Sequence, residues 1–254
     1  MFWTRAIPTG EVTVEHIKRN FGVVEAPDQV IYLASLTHIL ASGLGFKASA
    51  ERNTSMLGDG RPIPMMSYSL IEYLLGLDLS AFELLELGGG VSTRFWASCV
   101  KSVFTLETSG EWLKSLHSHP MPNVEAKLSA PEGIAKDMAT LGRTFDVIVI
   151  DSAANRLELA QRAAPMLRPG GFVILDNSDW YPNAAHVLRE SDLIQIDFHD
   201  FRPLHSFRCT ASLFLHREFR PRPKGTRLPL TPIGGKDVAD TNRWDTPAPT
   251  PSER

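Results

Sequence analysis

The sequence predicts an α/β fold: a three-layer sandwich with helices on both faces of a mostly parallel, seven-stranded sheet whose last strand is antiparallel. Three observations predict it. From Phe82 onward, short apolar runs alternate with helical stretches, the pattern of successive βα units. Two of the runs, FDVIVID and GFVILD, are apolar almost throughout, as strands buried on both faces are. Only HDFRPLHSFR separates Phe198 from Cys209, too short and proline-broken for a crossover helix, so the last two strands are antiparallel neighbours.

The elements follow in chain order. Asp28 to Leu44 reads as an amphipathic helix ended by Gly43 and Gly45, and Asn53, Gly58, Gly60, Pro62 and Pro64 mark the loop after it. A helix over about Ser67 to Leu79 leads into the sheet. Strands are expected at Phe82–Leu87, Ser102–Glu107, Asn123–Leu128, Phe145–Asp151, Gly171–Asp176, Leu193–Phe198 and Cys209–His216. Helices are expected between them at about Thr93–Val100, Gly110–Ser118, Pro131–Thr140, Arg156–Leu167 and Ala184–Glu190. Three regions result: 1–80, an N-terminal helical cap that sets substrate choice; 81–219, the ligand-binding α/β domain; and 220–254, a Pro-rich tail. From Arg217 the density of Pro, Arg, Thr and Asp predicts little fixed structure, although Leu228–Ile233 and Trp244 have the apolar character to pack back.

Composition narrows the function. The 254 residues are 43% apolar with a formal net charge of −3, enough for one well-packed domain with appendages. That charge is too small to argue for a nucleic-acid partner or a membrane surface. No run reaches the roughly 20 apolar residues of a membrane span, and MFWTRAIPTGEV lacks the apolar stretch of a secretion signal. Cys99 and Cys209 sit in apolar runs and read as buried free thiols. A cytoplasmic location is expected.

The chemistry is concentrated where four strands end. FELLELGGGVST is a strand, a glycine turn and a helix start: Glu86, then Gly88, Gly89 and Gly90, then Ser92 and Thr93. Glycine permits a sharp turn and close approach of backbone to ligand, and the helix start offers free N–H groups. Glu107 closes the next strand about twenty residues on, where a carboxylate can accept ribose hydroxyls. Asp151 closes DVIVIDS, and Asp176 with Asn177 closes FVILDNS. Ligands in open α/β sheets bind beyond these strand ends. Asp151 can hold an ammonium group or a metal, and Asp176 and Asn177 offer oxygens to a hard cation or a substrate hydroxyl. Each signal also has an ordinary reading as a solvated acid, turn or helix cap; their coincidence at one sheet edge points to a ligand.

In ELGGGVST, FTLET, FDVIVIDS and LRPGGFVILDN the chain resembles the Rossmann-like S-adenosylmethionine-dependent methyltransferases over about Pro64 to Phe219. The resemblance implies S-adenosylmethionine held by Glu86, Gly88, Gly90, Ser92 and Glu107, with Asp151 near its methionine end and adenine near Leu128 to Ala130. The set Asp151, Asp176 and Asn177 is similar to the catalytic and metal-binding set of catechol-type O-methyltransferases, which implies Mg2+ or another divalent cation activating the acceptor oxygen. The lysine base of those enzymes has no counterpart, because Ser152, Ala153 and Ala154 follow Asp151. His186, His199 and His205 are the alternative bases. Trp180, on the DNSDWY loop, and Met65, Met66 and Tyr68, in PIPMMSY, are candidate pocket walls.

The expected activity is O-methylation of a small molecule or glycan by a chain that can be a homo-oligomer, with neither nucleic acid nor membrane as partner. The alternatives are a methyltransferase-fold binding or scaffold protein without turnover, and an NAD-dependent oxidoreductase. The last lacks its third glycine, since Val91, Ser92 and Thr93 follow Gly90.

Overall fold

A computed structural model of the chain describes residues 27–238 and Asp245. The N-terminal stretch before Pro27 and Trp244 lie outside the described residues. The sheet holds seven strands: β1 (Glu83–Leu87), β2 (Ser102–Glu107), β3 (Val124–Leu128), β4 (Phe145–Ile150), β5 (Leu167–Leu175), β6 (Ile194–Phe201) and β7 (Arg208–Leu215). Their order is β3-β2-β1-β4-β5-β7-β6. The first five pair in parallel, and β7 lies antiparallel between β5 and β6. A plain dinucleotide fold would put a parallel sixth strand beside β5; the short β6–β7 link forbids it here.

Strand alternation sorts the core into two layers. Val147 and Val149 of β4, with Leu84, Phe172, Ile174 and Leu213, face one layer. Ile148 and Ile150, with Leu85, Leu87, Val173 and Leu175, face the other. The first layer packs on α3 (Tyr68–Leu75) and α4 (Val91–Cys99); the second packs on α6 (Ile134–Thr140), α7 (Arg156–Met166) and α8 (Pro182–Glu190). Helix α5 (Gly110–Ser118) lies beside β2 and β3 and starts at Ser109, whose hydroxyl accepts from Trp112 N–H. Ser109 is thus a side-chain N-cap.

The N-terminal region differs from the sequence expectation in two places. The expected single helix is α1 (Pro27–His38), which passes into a π turn over Ile39–Gly43. After Gly45, where a loop was expected, comes α2 (Phe46–Arg52). Its residues FKASAER are mostly good helix formers, and Asn53 ends it in a left-handed conformation at φ 47°.

The tail is corrected as well. Residues 217–238 do not lack fixed structure. Asp78 N–H donates to the Arg222 carbonyl and Lys224 N–H to the Gly76 carbonyl, both at 2.8 Å. Ile233 N–H donates to Glu72, and Leu228 and Ile233 pack against the first core layer. The described tail residues make no ladder of their own, so α3 and the turn after it supply their partners: Gly76 and Glu72 as acceptors and Asp78 as a donor.

Candidate active site

The site grows from the β1–α4 turn. Gly88 has φ 99°, and a Cβ there would lie 2.7 Å from the Asp151 carbonyl oxygen. A Cβ on Gly89 would lie 2.5 Å from the Thr105 methyl. Both positions therefore demand glycine. Gly90 meets only ordinary contacts with the Trp112 ring, at 3.6 Å and beyond, so its missing side chain leaves room above the turn.

Glu86 does not face that room. It is fully buried, and its carboxylate accepts from Ser92 Oγ and Thr93 Oγ1 at 2.6 Å and from Thr105 Oγ1 at 2.8 Å. Burial, opposed by these three donors, pushes its carboxyl up to about 7. Glu86 thus ties the start of α4 to β1 and β2 and fixes the glycine turn from behind. The sequence placed it among the ligand contacts; in the structure it is not on the cavity wall.

The cavity above the turn has a volume of 540 Å³ and is lined by Gly88, Gly89, Gly90 and Ser92 on one side. Glu107 and Ser109 from the end of β2, with Trp112, form the second side; Asp151 and Ala153 from the end of β4 form the third. The volume is within the range of small-molecule and cofactor pockets. Glu107 is nearly buried, and its Oε1 accepts from Ser109 N–H at 2.5 Å. The roof comes from Met65, which the sequence offered as a pocket wall, and from residues it did not mark as such: Asn53, Thr54 and Ser55 after α2, and Leu204 from the β6–β7 link. Leu204 adopts a left-handed φ of 65°, unusual for a branched residue. Trp112, on α5, and Thr54, Ser55 and Leu204 carry no sequence signal that would have found them. Met66 and Tyr68, expected as walls, belong to the core instead. Leu128 to Ala130 do not line the cavity.

The ends of β4 and β5 hold two carboxylates and two guanidinium groups. Arg156 Nη2 donates to Asp151 Oδ1 at 2.9 Å, and the same guanidinium donates to the Ser152 and Asp176 carbonyls. The Tyr181 ring lies 4.5 Å from it. Arg202 Nη1 stands 3.5 Å from Asp176 Oδ2. With the Asn177 amide oriented to satisfy its neighbours, its nitrogen donates to Asp176 Oδ2 at 2.6 Å and its oxygen accepts from Arg202 Nη1 at 2.9 Å. Burial, with Asp151 beside it, holds the Asp176 carboxyl well above the usual range; burial raises Asp151 too, against the pull of Arg156.

These contacts correct two expectations. Asp176 and Asn177 are buried and do not line the cavity, so of the expected catalytic set only Asp151 reaches it. The divalent cation is not supported: Arg156 holds Asp151 Oδ1, and Arg202 and the Asn177 amide occupy the outer contacts of Asp176 and Asn177. Among the described residues no cluster of three or more His, Cys, Asp or Glu is placed to hold a metal. The histidines also lie elsewhere. His199 pairs with Thr210 at 2.8 Å, His205 stacks on Phe207 with centroids 5.0 Å apart, and His186 is exposed near Glu190. None lines the cavity. Trp180 is exposed and packs against Phe207 at 6.1 Å.

Comparison with known proteins adds the fold's relatives. No protein-family model matches the chain, and no curated protein matches it. Solved structures do. Spermidine synthase from Thermotoga maritima is 16% identical over 61% of this chain and 61% of that one, with a TM-score of 0.47; the match thus spans less than two thirds of that enzyme. Fibrillarin from Aeropyrum pernix, in complex with S-adenosylmethionine, is 15% identical over 58% of this chain and 74% of its own, with a TM-score of 0.46. An rRNA methylase from Streptococcus thermophilus is 14% identical over 59% and 95%, with a TM-score of 0.44. The expectation of no nucleic-acid partner is withdrawn. A summed charge of −3 says nothing of the local surface that would meet an acceptor. Among the described residues no helix is long and apolar enough to cross a membrane. The strand order β3-β2-β1-β4-β5-β7-β6, with its one antiparallel insertion, is a Rossmann-like fold, as the sequence predicts.

Proposed function

We propose that the chain is an S-adenosylmethionine-dependent methyltransferase acting on oxygen of a small molecule or glycan. One observation carries the proposal: a single cavity joins the glycine turn to two strand-end carboxylates, Glu107 and Asp151. Bound there, S-adenosylmethionine would supply an electrophilic sulfonium methyl. The chain's own part is positioning. Gly88 and Gly90 keep side chains out of the ligand's space. Glu107, anchored by Ser109 N–H, accepts ribose hydroxyls. Asp151, aligned by Arg156, faces the ammonium end. Trp112 gives a flat wall beside Gly90 for a planar base. The roof of residues 53–55, Met65 and Leu204 shields the reacting end from water. In domain terms, 1–80 supplies the cap, 81–219 the binding sheet, and 220–254 a tail whose first part braces α3.

The test is calorimetric titration with S-adenosylhomocysteine, with NAD as control, on the intact protein and on Glu107→Ala. Binding to the first ligand alone is expected, weakened about 10- to 100-fold in the variant through loss of a charge-assisted hydrogen-bond acceptor. Equal affinity in both proteins would remove Glu107 from the ribose. A second reading, a subunit that binds the cofactor without turnover, has two observations in its favour: among the described residues no imidazole lines the cavity, and Asp151 is ion-paired. Methyl transfer from labelled cofactor to any acceptor would eliminate it.

A further inference from the structure

We infer that the ends of β4 and β5 are closed to divalent cations by a resident guanidinium: Arg202 stands on Asp176 and Asn177 where an ion would have to sit. A hard cation such as Mg2+ needs a near-octahedral set of oxygens at about 2.0–2.1 Å. Here those oxygens are already engaged. Asp176 Oδ2 is held by the Asn177 amide at 2.6 Å, and Asn177 Oδ1 accepts from Arg202 Nη1 at 2.9 Å. Asp151 Oδ1 is held by Arg156 at 2.9 Å. Asp176 Oδ1 is buried without a hydrogen-bond partner, and that oxygen with the second oxygen of Asp151 falls far short of an octahedral set.

Arg202 is also built in rather than resting on the surface. It is 6% exposed, and its guanidinium carbon lies 5.8 Å from the Trp180 ring centroid and 5.5 Å from that of Phe207. A planar guanidinium suits such a site because it stacks on rings and donates in its own plane to flat oxygen acceptors. Arg156 repeats the arrangement one strand over, with Asp151 as its acceptor and Tyr181 as its ring. Two carboxylates are therefore matched by two fixed cations, and a divalent ion would add unbalanced positive charge. Removing Arg202 would free Asn177 Oδ1 beside the unpartnered Asp176 Oδ1 and take away one of the two cations that balance Asp151 and Asp176. The closure is independent of the cofactor reading, because it follows from these side chains alone.

Mn2+ binding tests it, read as loss of the free-ion paramagnetic resonance signal on the intact protein, on Arg202→Ala and on Arg202→Ala combined with Asp176→Asn. The expected result is no binding below millimolar Mn2+ in the intact protein, a gain of roughly tenfold or more in affinity in Arg202→Ala, and loss of that gain in the double variant. Arg202→Met keeps the aliphatic stem and replaces the alanine variant if the latter fails to melt cooperatively. Tight Mn2+ binding by the intact protein that Asp176→Asn abolishes would overturn the inference. So would an Arg202 variant that folds and binds Mn2+ no better than the intact protein.

Discussion

Glu86 and Asp176 are both buried acids at the ends of central strands, and they are accommodated in opposite ways. Glu86 ends β1 among hydroxyls: Ser92, Thr93 and Thr105 donate to it, and no cation touches it. Asp176 follows β5 among cations and amides: Arg202 and Asn177 take its outer oxygen, and Arg156 takes its carbonyl. Hydroxyl donors stabilise a carboxylate without adding charge, so the turn above Glu86 remains a neutral cradle of backbone for a ligand. Guanidinium groups stabilise through charge, so the β5 end is electrostatically closed. Acids at neighbouring strand ends look alike in sequence, yet one braces a loop, two face a cavity, and one is locked in an ion pair.

The largest expected effect breaks the cradle itself. Gly88→Ala forces a Cβ to within 2.7 Å of the Asp151 carbonyl at a positive φ. Strain and clash together should cost about 2–4 kcal/mol of stability, with loss of detectable S-adenosylhomocysteine binding. Urea denaturation and calorimetry read both; an alanine variant with unchanged midpoint would mean that the turn is not fixed as described.

The next tests the hydroxyl-held acid by pH. The Glu86 carboxyl titrates near 7 in the folded chain, against an ordinary value of 4.5. A raised acid binds its proton more tightly when folded, so its contribution is fully present below about 4.5 and fades as pH rises towards 7. The intact protein should therefore lose on the order of 2–3 kcal/mol between pH 4.5 and 8 relative to Glu86→Gln, which cannot titrate. Parallel stability profiles for the two proteins would show that Glu86 is not held as a high-pKa acid.

The smallest effect concerns the cavity wall. Trp112 is about half exposed, at 48%, and the core does not depend on it. Trp112→Ala should change stability by less than about 0.5 kcal/mol and weaken S-adenosylhomocysteine binding about three- to tenfold through lost stacking. A stability loss as large as that of Gly88→Ala would make Trp112 a packing residue and remove it from the site.

Sheet and glycine turn were legible because they rest on local rules. Alternating βα runs, apolar β4 and β5, and a link too short for a crossover determine β7's direction with no knowledge of distant contacts. The ends of β2 and β4 were legible for the same reason: a strand that stops in an acid at the ligand edge places Glu107 and Asp151 on the cavity without further help. Helix α2 was missed because the seven residues between Gly45 and Asn53 are too short a run to show a helical period. Of the docked tail only the apolar piece Leu228–Ile233 was legible; the rest was read as lacking fixed structure because proline-rich composition describes what a segment cannot do alone, whereas α3 supplies its partners.

The metal expectation shows where sequence reasoning stops. Asp151, Asp176 and Asn177 are the right residue types in the right places, and by themselves they specify oxygen ligands. Whether an ion or a protein cation meets those oxygens is decided by Arg202, twenty-six residues after Asp176 along the chain and brought back to it by the β6–β7 hairpin. Backbone direction, strand order and the glycine turn are set by short-range periodicity and sterics, so the sequence by itself determined them. Counter-charge, cavity roof and the orientation of each buried carboxylate depend on side chains that meet only after the sheet has formed, and these the tertiary structure alone decided.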